Sequence, residues 1–237
     1  MESRLDYSQR GLRTLATLAD EKRAETVECL DLHGNQIIDF SHIQCFRRLK
    51  EVDISSNKIK KLPVKLLELR CLEAIFVDDN CLSTVPSEIK TLEVLSQFHA
   101  SSNVFSSIPQ ALLKMPSLKV LHFYNNKIGV IPSQISSLTK LEVLSLGKNR
   151  IKCIAEEIAS LSSLIRLDLS ENSIETVPSF IEKITTLKKL VLADNPIRTL
   201  GFDPLRLPSL EFLSIGARWK KQIDGINNGR FKVVYSG

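Results

Sequence analysis

One residue, asparagine, recurs along most of the chain at an almost constant spacing. The first gap is 22 residues and the six that follow are 23 residues each. The recurring residues are Asn35, Asn57, Asn80, Asn103, Asn126, Asn149, Asn172 and Asn195. Around each of them the same apolar frame returns, which can be written L-x-x-L-x-L-x-x-N-x-I-x-x-[ILV]-P-x-x-[IL]-x-x-L. A unit of this length cannot bury its own apolar side, so the repeats must stack into a solenoid.

Each part of the repeat has a preferred local structure. The L-x-L segment alternates with period 2, which predicts a short strand with one buried face. The asparagine ends this strand, where its amide can satisfy buried backbone donors and acceptors at a turn, and stacked copies can do so for one another. The later apolar positions recur every three to four residues, which indicates one or two turns of α-helix or 3₁₀ helix packed against the strand. Prolines open this return segment, and we expect them at its first helical position: Pro63, Pro86, Pro109, Pro132 and Pro178.

These motifs resemble the leucine-rich repeat, and the resemblance covers nearly the whole chain. The 23-residue length and the I-x-x-L-P-x-x-I signature are most similar to the intracellular subclass found in Ras-suppressor and Scribble-type scaffolds. The resemblance implies an α/β fold. It would be a curved right-handed solenoid with a parallel β-sheet on its concave side and short helices or 3₁₀ turns on its convex side.

The frame degenerates at both ends, as expected of terminal repeats that cover an open core. We therefore divide the chain into an N-terminal half-repeat and capping segment (1–26), an array of about nine repeats (27–216) and a C-terminal cap (217–237). Within the cap, Asn228-Gly229 signals a turn before a short alternating apolar segment. We expect Trp219 or Phe231 to lie over the last coil.

Composition bounds the class of protein. Hydrophobic residues make up 43% of the chain and charged residues 25%, as in ordinary globular proteins. No apolar run approaches the roughly 20 residues that span a bilayer, so we predict no membrane span. The first residues also lack the apolar core of a secretory signal. The formal charge of +5 is small and scattered, without interleaved stacking aromatics, which argues against nucleic acid as a partner.

Cysteine usage indicates a reducing compartment. The five cysteines are an odd number, show no tight pairing and form no C-x-x-C motif. We therefore expect a cytoplasmic protein, and we expect a monomer.

The sequence contains no strong catalytic motif. It has no phosphate-cradling glycine loop, no H-E-x-x-H and no nucleophile elbow. The regular spacing also leaves no room for an inserted catalytic loop between Leu49 and Asn195, so we predict that the chain is not an enzyme and needs no cofactor. His99 and His122 occupy the same position in adjacent repeats and could hold a metal if Asp78 or Asp79 joined them. A third well-placed ligand is not evident, so we predict no metal site and consider a pH-sensitive contact more plausible.

The resemblance places the residues between the buried strand positions on the concave face, where they have no evident structural role. Among them four ring-bearing residues come from three consecutive repeats: Phe76, His99, His122 and Tyr124. Rings of this kind are typical of binding hot spots, although solenoid sheets also carry ring ladders for packing. The candidate set is completed by Asn125, by the acidic Asp53, Asp78 and Asp79, and by the basic Lys148 and Arg150. An acidic end beside a weakly basic end would orient a partner, unless these are ordinary solvated charges.

The sequence therefore favours a non-enzymatic module that binds a protein on its concave face, as a scaffold or regulator in intracellular signalling. The resemblance to Ras-suppressor scaffolds suggests a small GTPase or phosphatase assembly as the partner. The alternative is the substrate-recognition part of a larger enzyme or bacterial effector whose catalytic domain lies outside this chain.

Overall fold

The computed structural model describes residues 3–19 and 24–237. The described residues form two compact units. The first runs up to Phe105 and includes Pro109–Leu118, and the second comprises Ser106–Ile108 and Lys119–Gly237. Parts of the predicted capping segment 1–26, namely residues 1–2 and 20–23, lie outside the described residues.

In both units the L-x-L segments form short strands. The strands of the first unit are β1 (Arg4–Asp6), β2 (Cys29–Asp31), β3 (Glu51–Asp53), β4 (Ala74–Phe76) and β5 (Gln97–His99). Those of the second are β6 (Val120–His122), β7 (Val143–Ser145), β8 (Arg166–Asp168), β9 (Thr176–Val177), β10 (Lys189–Val191), β11 (Thr199–Leu200), β12 (Phe212–Gly216) and β13 (Lys232–Ser236). Strands β2 to β8 and β10 are short because an asparagine turn follows each of them within a few residues, whereas β9 and β11 are two-residue strands outside the L-x-L segments.

All the strand pairs within each unit are parallel, as predicted. In the first unit, β1 to β5 pair in chain order, one repeat apart. In the second, β6, β7, β8, β10, β12 and β13 pair in that order, and β9 pairs with β11. Equivalent positions of neighbouring repeats are therefore in register, so that Asp53 lies opposite Phe76 and Phe76 opposite His99.

The central strand residue and the apolar residues that flank it form the core of each unit. Leu144, Leu167 and Leu190 are fully buried at equivalent positions of the second unit, and Ile75 and Phe98 are fully buried in the first. Burying a side chain of this size stabilises the folded state by about 1.5–3 kcal/mol. The repeated leucines and isoleucines therefore supply the driving force that one short repeat alone could not.

The return segments are mostly 3₁₀ helices, one of the two structures that the spacing allowed. In the first unit they are Ala24–Thr26, Ile43–Cys45, Val64–Glu68, Ser87–Thr91 and Leu112–Lys114, after the short α-helix α1 (Ala16–Ala19). In the second they are Ser133–Ser137, Glu156–Ser160, Ser179–Lys183, Pro204–Arg206 and Ala217–Trp219.

The prolines lie one to three residues before their helices, not at the first helical position that the sequence predicts. Pro63, Pro86, Pro132 and Pro178 lie one residue before their helices, as N-caps with extended ψ values between 122° and 159°. Pro109 precedes its helix by three residues. The fixed φ of proline suits an extended residue as well as a helical one, and the N-cap position usually has extended backbone. Each proline carbonyl accepts a hydrogen bond from the amide three residues later, as Pro63 does from Leu66 at 3.1 Å.

The recurring asparagines are built into the turns, as Asn57 shows. Its Nδ2 donates to the carbonyls of Ile54 and Ser55, each at 3.0 Å, and to that of Leu32 in the preceding repeat at 3.2 Å. Its Oδ1 accepts from the amide of Ile37, also in the preceding repeat, at 3.1 Å. One amide thus satisfies backbone groups of two repeats, which is the role expected of a buried polar side chain. The same set of bonds recurs at Asn35, Asn80, Asn103, Asn149, Asn172 and Asn195.

The C-terminal segment contains a helix that the sequence did not predict, α2 (Lys220–Asn227). Asn228 and Gly229 then take left-handed φ values of 43° and 77°, as the predicted turn requires, and β13 follows in parallel with β12. Phe231 is buried and Trp219 is only half-buried. No helix in the described part of the chain combines the length and the apolar character needed to cross a membrane.

Candidate protein-binding face

In the first unit, Phe76 and His99 form a ring pair on the exposed face of the sheet. The strand register places them side by side on β4 and β5. Their ring centroids lie 4.5 Å apart with the planes inclined by 32°, which is within the range of favourable ring contacts. Both side chains remain half-buried, so part of each ring faces solvent. The pair is fixed by the sheet and still accessible to a partner.

Burial changes the chemistry of the histidine. It lowers the pKa of His99 from 6.5 to about 4, so the imidazole is neutral at physiological pH. A pH-sensitive contact near neutrality, which the sequence suggested for the histidines, therefore receives no support from His99.

Two acidic candidates of the first unit, Asp53 and Asp78, accept hydrogen bonds from backbone amides. Asp53 accepts a hydrogen bond from the amide of Ser55 at 2.8 Å, and Asp78 accepts one from the amide of Ser101. The amide of Asp78 in turn donates to Ser55 Oγ at 3.1 Å. The expectation that these positions have no structural role was wrong, because strand ends leave backbone amides that nearby carboxylates and hydroxyls satisfy.

A small cavity of about 210 Å³ lies on the same face of the first unit. Asp31, Glu51 and Asp53 line it together with the Phe76 ring, and Arg4 contributes one positive charge. Arg4 lies 3.5 Å from Asp31, so two of the four charged groups offset each other. The remaining carboxylates give this part of the face an acidic character.

Three further candidates share a backbone constraint that the sequence did not reveal. Asp79, Asn125 and Lys148 each precede a recurring asparagine and have φ values of 55°, 56° and 53°. This left-handed conformation is uncommon outside glycine and strains a side chain with a Cβ atom. A requirement of the turn therefore acts on these three positions, whatever they contribute to binding. Lys148 is exposed, as is the nearby candidate Arg150.

In the second unit, Tyr124 is held in a defined orientation. Its hydroxyl donates to Glu171 Oε1 at 2.5 Å, and this bond is the main reason why its pKa is raised to about 12. Its ring covers Gly147, where a Cβ atom would lie 2.8 Å from Tyr124 Cδ2 and 2.7 Å from Ser170 Oγ. His122 lies on β6 opposite Ser145 of β7 and is half-buried.

The candidate set predicted from the sequence did not include Gly147 and Glu171. Gly147 follows Tyr124 by one repeat at the same position, and a glycine beside a large ring in register was a signal that the ring lies over it. Glu171 lies two repeats from Tyr124 and one residue further along its repeat, and no local pattern connects the two.

The described residues contain no group of three or more His, Cys, Asp or Glu side chains placed to hold a metal ion.

Comparison with known proteins identifies the repeat. Two family models match, "Leucine Rich repeats (2 copies)" over residues 116–160 and "Leucine rich repeat" over residues 139–197. A sequence comparison with curated proteins gave no match.

Solved structures share the fold over most of the chain. The Leptospira interrogans leucine-rich repeat protein LIC12759 is 21% identical with a TM-score of 0.70, over 89% of this chain and 67% of that one. The plant peptide hormone receptor RGFR1, solved in complex with RGF2, is 20% identical with a TM-score of 0.66, over 89% of this chain and 40% of the receptor. A chain from an octameric complex of Latrophilin 3, Unc5D and FLRT2 is 17% identical with a TM-score of 0.68, over 99% of this chain and 90% of that one.

This chain therefore spans less than half of the plant receptor. The family models thus match leucine-rich repeats over residues 116–197, about a third of the chain, and the solved structures share the leucine-rich repeat fold.

Proposed function

We propose that the chain is a non-enzymatic module that binds a protein partner on the exposed face of its sheet, the face that the resemblance makes concave. Leucine-rich repeat proteins generally act as protein-binding modules, and solenoids present extended surfaces of this kind. The observation that carries the proposal is the Phe76–His99 pair, two half-exposed rings in contact at 4.5 Å between centroids. Rigid rings bind at a low cost in side-chain entropy and are enriched in binding hot spots.

Charged residues on this face would orient the partner. The carboxylates Asp31, Glu51 and Asp53 beside Phe76 would attract a basic partner surface and speed its approach. In the second unit Lys148 and Arg150 are exposed and would favour acidic groups. We expect each unit to contribute its own part of the recognition.

We further propose that the protein is a monomeric, cytoplasmic scaffold or regulator in intracellular signalling, with a small GTPase or phosphatase assembly as its partner. The 23-residue repeat similar to Ras-suppressor and Scribble-type scaffolds supports this context. Five free cysteines, three of them exposed, support a reducing compartment.

The second candidate is a substrate-recognition part of a larger enzyme or bacterial effector. Its support is the length of the chain, which spans only 40% of the plant receptor RGFR1. Sequencing the natural reading frame on both sides of the chain separates this candidate from the first.

The test is capture of a partner on the immobilised wild-type protein, followed by affinity measurement with variants. We expect Phe76→Ala to weaken binding about thirtyfold, the typical result of truncating a hot-spot ring. The matched control is Val94→Ala, which shortens a half-exposed apolar residue of the first unit outside the strands. Equal affinities of wild type and Phe76→Ala, with weaker binding by the Val94 variant, would contradict the assignment of the face.

The charge of Lys148 needs a variant that suits its backbone. Lys148→Asn removes the charge and keeps a residue that tolerates φ = 53°. We expect this variant to slow association without lowering the melting temperature. If Lys148 contributes only to the turn, association with the captured partner will be unchanged.

A further inference from the structure

An apolar groove in the first unit is formed by residues that follow the asparagine turns, outside strands β2 to β4. It is formed by residues 37–41 and 58–65, which follow Asn35 and Asn57, and its volume is about 650 Å³. Ile37, Phe40 and Ile59 line it with side chains that are at most 7% exposed, and Pro63 lines it beside them. The groove thus has an apolar floor supported by the core of the unit.

The rim of the groove is strongly basic. Lys58, Lys60, Lys61 and Lys65 all line it, and all four are exposed. Lys65 pairs with Glu68 at 3.6 Å, whereas the other three form no ion pair with a described carboxylate. The one acidic residue in the described lining, Asp39, accepts a hydrogen bond from the amide of Ser41 at 2.9 Å. Among the described residues, three positive charges therefore surround an apolar depression without an ion-pair partner.

Exposed apolar side chains accompany these charges. Ile38 lines the groove and is 86% exposed, the largest value among the exposed large hydrophobic residues described. Val64, next to Pro63, is 51% exposed. Isolated exposed hydrophobic residues are ordinary, but a cluster beside an apolar groove is typical of a binding surface.

We propose that this groove docks an acidic segment of a partner protein, with an apolar side chain in the depression and Asp or Glu side chains on the lysines. Two properties of the groove favour a peptide over other anionic partners. Its floor is recessed, so a flat lipid surface could not reach Phe40 or Ile59. Phe40, the only aromatic residue in the described lining, is 7% exposed and offers no platform on which a nucleic-acid base could stack. The docking surface is separate from the exposed sheet face and adds a second contact to the proposed function.

The experiment measures fluorescence anisotropy with a pool of short labelled peptides that carry a central leucine or phenylalanine flanked by random Asp and Glu residues. We expect saturable binding that weakens with salt. Lys58→Glu/Lys60→Glu/Lys61→Glu should weaken it about tenfold or more, because charge reversal replaces attraction by repulsion. Ile38→Ser should weaken it several-fold, and Phe76→Ala should leave it unchanged.

The matched control reverses two other exposed lysines of the same unit, Lys90→Glu/Lys114→Glu, and should bind like wild type. All the substituted lysines are exposed, so melting temperatures should stay close to that of wild type. A second pool has serine in place of the central apolar residue and should bind more weakly.

Three results would overturn the proposal. The first is that no peptide of the acidic pool binds. The second is that the serine pool binds as tightly as the apolar pool, which would show that the groove recognises charge alone. The third comes from vesicles of phosphatidylserine and phosphatidylcholine. If the triple variant loses binding to these vesicles while no peptide binds the wild type, the basic rim recognises a membrane surface instead.

Discussion

At the scale of single residues, the asparagine amides carry much of the specificity of the fold. Asn172 donates from Nδ2 to the carbonyls of Leu146, Leu169 and Ser170 at 2.9–3.1 Å and accepts from the amide of Ile151 at 2.9 Å. Asn172→Ala leaves these backbone groups buried without partners, which should lower the free energy of unfolding by about 1–3 kcal/mol or more. The free energies of unfolding of wild type and variant, measured by urea denaturation, test this expectation.

The control is the neighbouring Ser173→Ala, which shortens an exposed side chain and should change the urea midpoint little. Equal midpoints for the two variants would show that the amides do not stabilise the turns.

The neutral, partly buried His99 makes stability depend on pH. Burial lowers its folded-state pKa to about 4, from 6.5 in the exposed imidazole. Between these values the unfolded chain binds the proton and the folded chain does not. The contribution is therefore fully present above pH 6.5 and is lost as the pH falls toward 4.

We expect urea midpoints measured at falling pH within this window to decrease less for His99→Gln than for wild type. Gln97→Ala changes a residue of the same strand that does not titrate and serves as the control, with a pH dependence close to that of wild type. Parallel curves for wild type and His99→Gln would contradict the role given to burial.

At the scale of elements, the sequence was most informative where a pattern repeats. Period-2 leucines and the asparagine spacing were sufficient for the parallel strands and their register, because every copy imposes the same burial. Helix α2 carries no such repeat and was missed. The left-handed turn residues were also missed, since positions such as Lys148 and Glu171 hold side chains that give no sign of positive φ.

The candidate site was less predictable than the fold for a related reason. The strand register was enough to bring Phe76 beside His99. The bond from Tyr124 to Glu171 depends on side-chain orientation across two repeats, which no local pattern encodes.

The C-terminal segment 217–237 was expected to act as a cap, and its geometry offers a direct test. Ile223 of α2 is fully buried, and Tyr235 of β13 donates to Asp224 Oδ1 at 2.5 Å. We expect Ile223→Ala to cost about 2–5 kcal/mol and to increase aggregation, because a loosened cap exposes the apolar edge of the last repeat. Thermal melting and light scattering measure both effects.

Lys221→Ala, an exposed change on the same helix, is the control and should leave both measurements unaltered. If Ile223→Ala melts like wild type and scatters no more light, the segment is an appendage and not a cap.

At the scale of the whole molecule, the reactivities of the five free thiols depend on how far the folded chain exposes each of them. Cys71, Cys81 and Cys153 are exposed, whereas Cys29 and Cys45 are half-buried. Burial, with a smaller effect from the neighbouring Glu51 carboxylate, raises the pKa of the Cys29 thiol above 9.0. Because the thiolate is the reactive form, Cys29 should react with iodoacetamide several-fold more slowly than the exposed three.

Mass spectrometry of the native protein after short labelling times would measure these rates, with urea-unfolded protein as the reference in which all five should react. Glu51→Gln removes the neighbouring negative charge and should speed the labelling of Cys29 while leaving Cys71 unaffected. If Cys29 is labelled as fast as Cys71 in the native protein, its thiol is neither shielded by β2 and β3 nor influenced by Glu51. The acidic cavity beside Phe76 would then be more open than in this structure.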